Sequence, residues 1–529
     1  MCGTARFILV TTVAGDGMSS IGIDLGTTNT VAAERVGELP NIVDFNGDRT
    51  MRSAVAFTEG DDEVIVGNDA VGYAETDPQL TFTSVKRAMG TDETYEVPDD
   101  SYTRTDPTPE MISALILRHL TDTAEETLGS RPDNAVVTVP ADFPEPARRA
   151  TERAADYADI DVLRLLPEPS AACAAYGLRE RDDPIETVAV YDLGGGTFDV
   201  SVVEVIHEAE LYEVQGTDGR QQLGGDDFDD RLLEHVVETF ADETGIDVRE
   251  SQNERERVRR AVKQAKHRLS AASEAEIRVP FIRPETNLEL TVGRETFEEL
   301  TADLVQETIT VCGELFEELD TAVDEVDTVL LVGGASKMPQ VQTAVAEFFD
   351  QEPSKEVNPD EAVAMGAAKQ AEVLAGRTGL DPEASTEGGG ILDVAPDPLG
   401  IRVHDGSFSR IIDENETLPV RATRDGYSTV EDGQRRATIE VYQGDSDRAT
   451  DNELIESFVL DNIREAPAGV PNIVVELELD ESGVLRPRAW DDSVGEEVGV
   501  DGVEITRADD ENGDEQVERV REELPAVAN

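Results

Sequence analysis

The chain has 529 residues, of which 39% are apolar, and it carries 115 Asp and Glu against 45 Lys and Arg, for a formal net charge of −70. Collagen-like, low-complexity and fully disordered chains are excluded, because this length and apolar content allow a substantial core. The charge also excludes a generic nucleic-acid or anionic-membrane surface, since both need clustered Lys and Arg. We therefore expect neither a nucleic acid nor a membrane as a partner.

The acidic charge is spread along the chain. Residues 401–529 hold 33 acidic and 13 basic side chains, and the first 400 hold 82 and 32. Only 6 of the 45 basic residues are Lys. Even acidity with few lysines is typical of cytoplasmic proteins from salt-in halophiles, where molar salt screens charges beyond about 3 Å. An acidic protein of ordinary habitat is the alternative.

The cysteines and the N-terminal residues indicate the cellular compartment of the protein. The three cysteines are far apart and show no metal-ligand spacing, which fits a reducing, cytoplasmic compartment. The apolar run at residues 7–10 is too short to span a membrane and has no clear signal-peptide cleavage site. We expect residues 1–20 to be an extension, produced either by a start assigned before Met18 or by a short disordered segment.

Two segments form a weak internal repeat. Residues 21–34 read IGIDLGTTNTVAAE and residues 188–205 read VAVYDLGGGTFDVSVVEV. Each predicts an apolar strand, an Asp-Leu-Gly sequence, a Gly/Thr turn and a second strand, which is a β-hairpin. Asp24 and Asp192 take the same place in the two hairpins. The repeat indicates a duplicated domain with two facing phosphate-binding hairpins.

Helices and strands alternate between and after these hairpins. The apolar spacing predicts helices at 109–128, 147–158 and 255–272, and strands at 135–139 and 326–332. Such alternation favours an α/β fold. Residues 377–390 have the composition of a linker. Beyond them, alternating strands such as 437–442, 473–479 and 484–489 predict an all-β module over 398–500, and residues 509–524 predict one short helix.

The hairpin turns have the chemistry of phosphate loops. Only Gly lets the backbone approach phosphate oxygens without a Cβ clash, and successive N–H groups then form an anion-binding concavity. Thr27, Thr28 and Thr197 add hydroxyl donors. Asp24 and Asp192 would hold hydrated Mg²⁺, which prefers one or two carboxylates and keeps its waters. Glu168, near the end of a predicted strand, is a third carboxylate.

Taken in order, these segments resemble the Hsp70 (DnaK) chaperone family of the actin/hexokinase/Hsp70 superfamily. The resemblance covers residues 21–516 and includes the motifs IGIDLGTTNT, AVVTVPADF, LGGGTFDVSVVEV, LGGDDFDDRL, VLLVGGASKMPQVQ and VNPDEAVAMGAA. It implies a duplicated α/β nucleotide-binding domain followed by a β-sandwich peptide-binding domain. The implied borders are 1–20 for the extension, 21–386 for the ATP-binding domain, 387–393 for the linker, 394–508 for the β-sandwich and 509–529 for a remnant of the family's helical lid.

The resemblance also implies roles for single residues. It implies ATP or ADP, Mg²⁺ and K⁺ as ligands. The implied catalytic residues are Lys86, Glu168, Asp192, Asp24 and Thr197, with Asp24, Asp192 and Asp199 near the metals. The implied nucleotide contacts are Gly26, Thr27, Thr28, Gly194, Gly195, Gly196, Lys266, Ser270, Gly333, Gly334, Ser336 and Asp360.

Several positions depart from the family pattern. Lys263 stands where the family usually has a ribose-binding Glu, and His267 and Lys337 stand where some members sandwich the adenine. A solvated helix face is the alternative for Lys263 and His267. The linker has only Ile391 and Leu392 before Asp393, preceded by three Gly, so we expect weaker or different interdomain coupling.

The β module matches the family's peptide-binding groove, and an extended client would add along its strands. The matching residues are Ile401, Val403, Tyr427, Val430, Ala437 and Ile439, some of which have plain core packing as the alternative. The resemblance implies unfolded clients, a J-protein and a nucleotide-exchange factor as partners. We expect a short form without the helical lid, either a natural paralogue or a truncated gene.

The functional hypothesis is therefore an ATP-hydrolysing chaperone. The alternative is an ATP-binding regulatory or co-chaperone protein with weak turnover. A sugar kinase or actin-like filament is disfavoured, because neither carries the β module.

Overall fold

The structure is a computed structural model that describes residues 20–36, 39–45, 47–58, 63–74, 76–97, 106–177, 184–377, 390–492, 517–521 and 524–527. The expected N-terminal extension, apart from residue 20, and most of the Gly-rich linker lie outside the described residues.

The described part of the chain contains 24 strands. They are β1 (Ser20–Leu25), β2 (Asn29–Val36), β3 (Leu39–Ile42), β4 (Met51–Arg52), β5 (Ala54–Phe57), β6 (Glu63–Val66), β7 (Thr81–Thr83), β8 (Asn134–Val139), β9 (Asp161–Pro167), β10 (Ile185–Leu193), β11 (Phe198–Ile206), β12 (Leu211–Arg220), β13 (Glu274–Arg283), β14 (Thr286–Gly293), β15 (Thr328–Val332), β16 (Gly390–Leu392), β17 (Leu399–Arg402), β18 (Phe408–Ile412), β19 (Val420–Tyr427), β20 (Ala437–Gln443), β21 (Glu453–Leu460), β22 (Ile473–Leu479), β23 (Leu485–Asp491) and β24 (Ala526–Val527).

Helices cover the sheets of the first 377 residues. They are α1 (Asn68–Tyr73), α2 (Pro109–Leu128), α3 (Glu145–Tyr157), α4 (Glu168–Tyr176), α5 (Gly225–Thr244), α6 (Gln252–Leu269), α7 (Arg294–Glu318), α8 (Pro339–Phe349) and α9 (Ala362–Arg377). The predicted helix at 109–128 has those bounds. The other two predicted helices, at 147–158 and 255–272, begin two or three residues earlier than expected, where Pro144 and the Ser251 cap set their first turns.

Two similar sheets organise this region. The first has the order β3-β2-β1-β8-β9 with β4 beside β2, and the second has the order β15-β10-β11-β12-β16. In each, the first strand of the hairpin pairs antiparallel with the second strand of the hairpin and parallel with a later strand. The predicted hairpins therefore hold equivalent positions, and the α/β duplicated fold is confirmed. We call residues 20–177 lobe I and residues 184–361 lobe II.

A separate all-β unit follows. The sheets β18-β17-β20-β21 and β19-β22-β23 face each other across a core that includes Ile412, Val441, Val475, Leu477 and Leu485, all fully buried. Alternation of inward apolar and outward polar residues explains this sandwich. The predicted strand at 473–479 is observed with those bounds.

The last described residues return to lobe I. Strand β24 pairs in parallel with β6 and extends the sheet β24-β6-β5-β7. Val520 and Leu524 are buried in the lobe I core, and Arg521 pairs with Asp159 at 3.1 Å. Of the helix predicted at 509–524, residues 517–521 are helical, and residues 509–516 lie outside the described part.

Within the described ranges, no helix is long and apolar enough to cross a lipid bilayer.

Candidate functional site

A cavity of about 340 Å³ lies between the two lobes, and we call it the cleft cavity. Strands β1 and β10 end at its floor, so the Asp-Leu-Gly turns of the two hairpins face each other there. The predicted residues that line it are Asp24, Gly26, Thr27, Thr28, Lys86, Glu168, Asp192, Gly194, Gly195, Thr197, Lys266, Ser270, Gly333, Gly334 and Asp360. These residues span more than 330 positions of the sequence, and the tertiary structure brings them to one cavity.

Glycine is required where the loops approach each other. A Cβ on Gly195 would lie 2.2 Å from the hydroxyl oxygen of Thr28, so the second hairpin turn reaches the first only without a side chain. Gly333 has a φ of +80°, and a Cβ there would lie 2.3 Å from the carbonyl oxygen of Leu193. These contacts explain why small residues recur at the turns.

The carboxylates at the strand ends lie near other carboxylates, and the charge of Lys86 offsets their repulsion only in part. Burial, followed by the charge of Glu168, raises the pKa of Asp24 to about 7. Burial and then Glu168, with Asp199 and Asp24, raise the pKa of Asp192 well above its ordinary value. Groups with strongly shifted pKa values in a cleft are typical of functional sites.

Lys86 is held by an acidic partner. It lies in the short helical segment Val85–Ala88, is 7% exposed, and its Nζ lies 2.5 Å from Oε1 of Glu168, the first residue of α4. The ammonium also lies 5.7 Å from the ring centroid of Phe143. The pair places one positive charge beside the two aspartates of the hairpins.

Helix α6 supplies three cationic or ionisable side chains to the opposite wall. Lys266 pairs with Asp229 at 3.0 Å, and Lys263 pairs with Asp226 at 3.0 Å. Burial lowers the pKa of His267 to about 4, with Lys266 and Lys263 adding to the effect, so this imidazole is neutral near pH 7. Both Lys263 and His267 line the cavity, which favours a ligand contact over the solvated-face alternative.

Three predicted residues lie behind the cavity wall. Gly196 packs against Arg87, where a Cβ would lie 2.9 Å from Cδ. Ser336 donates a hydrogen bond from its hydroxyl to the Gly333 carbonyl at 2.7 Å, so it shapes the loop. Asp199 is 1% exposed, and its Oδ1 accepts the Asp142 N–H at 2.9 Å.

The acidic groups fit a cation. Oδ2 of Asp199 is buried without a hydrogen-bond partner among the described residues, and burial raises the pKa of this carboxyl to about 7. In the described part of the chain, no three His, Cys, Asp or Glu side chains converge closely enough to hold a metal ion directly. The carboxylates of Asp24 and Asp192 and the unpartnered oxygen of Asp199 are the type of ligand that Mg²⁺ takes, since it binds one or two carboxylates and keeps several waters.

Sequence reasoning missed some lining residues. Asn29, Thr50, Asp226, Met338 and Val363 also face the cleft cavity. Asp226 belongs to the motif LGGDDFDDRL, which follows the second hairpin. Its place in that motif could have predicted a position in the cleft. Asn29, Met338 and Val363 likewise belong to quoted motifs, whereas Thr50 lies outside them.

The β sandwich has an open groove of about 540 Å³. All six residues predicted to contact a peptide line it, namely Ile401, Val403, Tyr427, Val430, Ala437 and Ile439. Ile401 and Ile439 are also part of the sandwich core, which agrees with core packing as the alternative for some of the six residues. Val430 is 52% exposed, which leaves an apolar rim open to solvent.

The described part of the linker docks on both lobes of the first unit. Strand β16 pairs in parallel with Leu211–Glu213 of β12, and Ile391 is buried. Asp393 accepts hydrogen bonds from Arg164 at 2.8 Å and from the Ser170 hydroxyl at 2.5 Å. A buried ion pair thus accompanies the apolar contact of the linker, and the weaker or different interdomain coupling expected from two aliphatic residues and three Gly stays a prediction.

The β sandwich also contacts lobe I directly. Arg148 donates to the Ser482 carbonyl at 3.2 Å and Arg149 donates to the Leu485 carbonyl at 2.6 Å. Nitrogen of Leu165 donates to the Ser482 hydroxyl at 3.1 Å. These hydrogen bonds join α3 and β9 of lobe I to the segment at the start of β23.

Comparison with known proteins agrees with this geometry. A family profile described as Hsp70 protein matches residues 20–528. The chain belongs to the Hsp70 family. It is 40% identical over 516 residues to the proteins named Chaperone protein DnaK from two strains of Halobacterium salinarum, an alignment that covers 96% of this chain and 78% of theirs.

Family membership confirms the main functional predictions. The chain is an Hsp70-like chaperone and an ATPase, it uses a nucleotide with Mg²⁺, and it binds unfolded client polypeptides. The haloarchaeal relatives also agree with the halophilic reading of the acidic, Lys-poor composition.

Proposed function

We propose that the cleft cavity is the ATP site of this chaperone and that its residues act as the Hsp70 resemblance implies. The observation that carries the proposal is the convergence of both Asp-Leu-Gly hairpins with the Lys86–Glu168 pair in one cavity. Backbone N–H groups of the Gly-rich turns and the hydroxyls of Thr27, Thr28 and Thr197 would bind the phosphates.

Lys86 has the position of an electrostatic catalyst. Its ammonium would orient the attacking water and offset the charge that develops on the terminal phosphate. Glu168 fixes the ammonium by the 2.5 Å contact, so the charge needs little reorganisation during the reaction. Asp24, Asp192 and Asp199 would hold hydrated Mg²⁺ and K⁺, and Mg²⁺ supplies charge neutralisation at the phosphates.

On the opposite wall, Lys266, Ser270, Gly334 and Asp360 would contact the adenosine. Gly196 and Ser336 would act through the shape of their loops, since neither faces the cavity. We also propose domain borders at 21–386, 387–393 and 394–508, as the resemblance to the family implies.

The groove would take one apolar side chain of an extended client beside Ala437, with backbone hydrogen bonds along the strands. We further propose a J-protein and a nucleotide-exchange factor as partners, and a cytoplasmic location in a salt-in cell, on the ground of composition and family.

A steady-state ATPase assay in molar KCl tests the site. Lys86→Ala is expected to lower turnover by about a hundredfold or more, the usual cost of removing a preorganised electrostatic group. Lys355→Ala is the matched control, because Lys355 is exposed and lies outside the cavity. Equal turnover of wild type and Lys86→Ala would refute the catalytic assignment.

The docked linker favours a coupled chaperone over the regulatory alternative. Binding of an apolar peptide should be measured with and without ATP. A difference in affinity between the two states is expected for a coupled chaperone, whereas no binding in either state would favour the regulatory reading.

A further inference from the structure

Lys369 is a buried lysine of α9 that the proposed ATP site does not use. Only 6 lysines occur in the chain, and the side chain of this one is 7% exposed. A buried ammonium needs partners that replace its hydration, so its contacts show what it stabilises.

The ammonium of Lys369 contacts two residues at the strand edge to which the linker adds. Its Nζ donates to the Tyr212 hydroxyl at 3.0 Å and lies 5.1 Å from the centroid of the same ring. It also lies 3.2 Å from Oε2 of Glu210. Among the described residues Glu210 is the acidic partner of Lys369, so compensation of the buried charge depends on where Glu210 lies.

Both partners receive the linker through their main chains. The Glu210 carbonyl accepts the Gly390 N–H at 3.2 Å, and Tyr212 is the register partner of Ile391 in the pair of β12 and β16. Glu210 has a φ of +49°, a backbone conformation that residues other than glycine adopt infrequently and that surrounding contacts must hold. The ion pair with Lys369 therefore holds the residue that accepts the Gly390 N–H of the docked linker.

Tyr212 is fixed on its other side by the absence of a side chain at Gly177. A Cβ there would lie 2.2 Å from the Tyr212 hydroxyl oxygen, so the ring reaches Lys369 only because residue 177 is glycine. Tyr212 is buried and belongs to the same core as Ile391 and Val394. The ring thus places the ammonium beside the core that receives the linker.

Helix α9 connects this contact to the cleft cavity. Asp360, just before the helix, and Val363, in its first turn, line that cavity. Lys369 follows Val363 by six residues, which is about 9 Å along a helix axis. One short rigid element therefore reaches both the cleft cavity and the edge that binds the linker.

The packing of α9 ties it to two other elements of the cleft. A Cβ on Gly22 of β1 would lie 2.0 Å from the Ala368 nitrogen, and a Cβ on Gly366 would lie 1.7 Å from the Ala171 carbonyl oxygen of α4. Strand β1 ends at the first Asp-Leu-Gly turn, and α4 begins with Glu168. Because such close contacts leave no slack, a displacement of β1 or α4 displaces α9 as well.

We propose that Lys369 is a positioning residue for linker docking, which holds Glu210 and Tyr212 in the geometry that accepts the linker. Through α9 the same residue connects this edge to the cleft cavity. The positioning role stands on the contacts of Lys369 alone, whereas the connection to the cleft rests on the proposed ATP site.

The test is hydrogen exchange at the amides of Gly390 and Ile391, measured on the full chain in molar KCl with ATP and without nucleotide. Lys369→Met keeps most of the side-chain volume and removes the ammonium. In the state in which wild type is more protected, these amides should exchange about tenfold faster in Lys369→Met, a size typical of residues in one network. Lys369→Arg should retain part of the protection, because the charge stays but a planar guanidinium fits the site less well.

Two outcomes of this comparison would overturn the proposal. One is equal exchange of the linker amides in wild type and Lys369→Met. The other is a wild-type linker that lacks protection in both states, since the docked linker would then not form.

A double-mutant cycle tests the ion pair without disturbing the core. The Glu210 side chain is 65% exposed, so Glu210→Gln should fold as wild type does and should speed the exchange of the linker amides. Because the two side chains act as one unit, the double variant should exchange no faster than Lys369→Met, and additive effects would refute the pair. Glu208→Gln is the matched control, because Glu208 is exposed in the preceding turn, and it should exchange like wild type.

Exchange elsewhere in the chain separates positioning from packing. The amides of β1 and β8 in the lobe I core should exchange equally in wild type and Lys369→Met, and acceleration there by the same factor would assign Lys369 to packing and overturn the proposal. Any change that ATP causes at the wild-type linker amides should be smaller in Lys369→Met. If ATP changed no amide of wild type, the proposed ATP site would fail, and the comparison without nucleotide would still decide the role of Lys369.

Discussion

Asp393 is the residue on which the docked linker depends most. It is 2% exposed and accepts hydrogen bonds from Arg164 at 2.8 Å and from the Ser170 hydroxyl at 2.5 Å. Arg164, itself 5% exposed, also donates to the Ile391 carbonyl at 3.0 Å. In the Asp393→Ala variant the docked state would bury the guanidinium without its carboxylate.

The magnitude follows from this burial. Removing one partner of a buried ion pair costs about 3–5 kcal/mol. Full burial of one aliphatic side chain such as Ile391 contributes about 1.5–3 kcal/mol. Deleting the Asp393 carboxylate should therefore cost at least as much docking free energy as deleting the Ile391 side chain. Because each 1.4 kcal/mol is a factor of ten, the ratio of docked to undocked linker should fall by about a hundredfold or more.

Hydrogen exchange measures this ratio. In wild type with ATP, the amides of β16 and of the facing edge of β12 should exchange slowly, and in Asp393→Ala they should exchange as in an open linker. Asp461→Ala is the control, since Asp461 belongs to an exposed pair with Arg436. Arg164→Met combined with Asp393→Leu should restore part of the protection, because an apolar pair replaces a buried ion pair at little cost.

Equal protection of β16 in wild type and Asp393→Ala would refute the reasoning. A functional readout accompanies it: an apolar peptide should stimulate the ATPase of wild type and not that of Asp393→Ala. If the wild-type ATPase rate did not change on adding the peptide, this would support the weaker interdomain coupling that the linker composition predicts.

Three further predictions concern other parts of the molecule. Burial raises the pKa of Asp24 and of Asp199 to about 7, so these groups destabilise the metal-free protein increasingly as the pH rises from about 4 to about 7. Mg²⁺ favours their ionised forms, so calorimetry in molar KCl should show a larger rise in Tm on adding Mg²⁺ at pH 8 than at pH 6; equal rises would contradict this. Leu524→Asp places a charge in the lobe I core and should release β24, so the outer amides of β6 should exchange faster while those of β5 do not change. Ala437→Trp fills the peptide groove and should weaken binding of an apolar peptide by about tenfold to a hundredfold, the value of one buried aliphatic side chain, with unchanged basal ATPase as the control measurement.

Local patterns in the sequence predicted much of the site. The two Asp-Leu-Gly hairpins were readable because strand alternation and turn residues are encoded within about ten positions. The helix at 109–128 was readable for the same reason, since its apolar spacing and its Thr108 cap are local. The residues of the peptide groove were predicted from their match to the groove-lining strands and loops of the Hsp70 family.

Tertiary contacts decided the rest. Asp199, Gly196 and Ser336 belong to the predicted motifs, yet none of them lines the cavity. Asp199 bonds to the Asp142 N–H, Gly196 packs against Arg87, and Ser336 bonds to the Gly333 carbonyl. Neither the linker's docking nor the return of β24 to β6 has a local signal. Both depend on partners more than 170 positions away.

The sequence by itself determined the fold class, the paired phosphate turns and the acidic, Lys-poor surface, since each is a property of composition or of short-range periodicity. Only the tertiary structure decided which charges are paired. Asp393 finds Arg164, and Lys263 finds Asp226, while Arg52 finds no carboxylate among the described residues. Ion pairing depends on distance in space, and in a chain with this excess of acidic residues the sequence does not show which cation would remain without a partner.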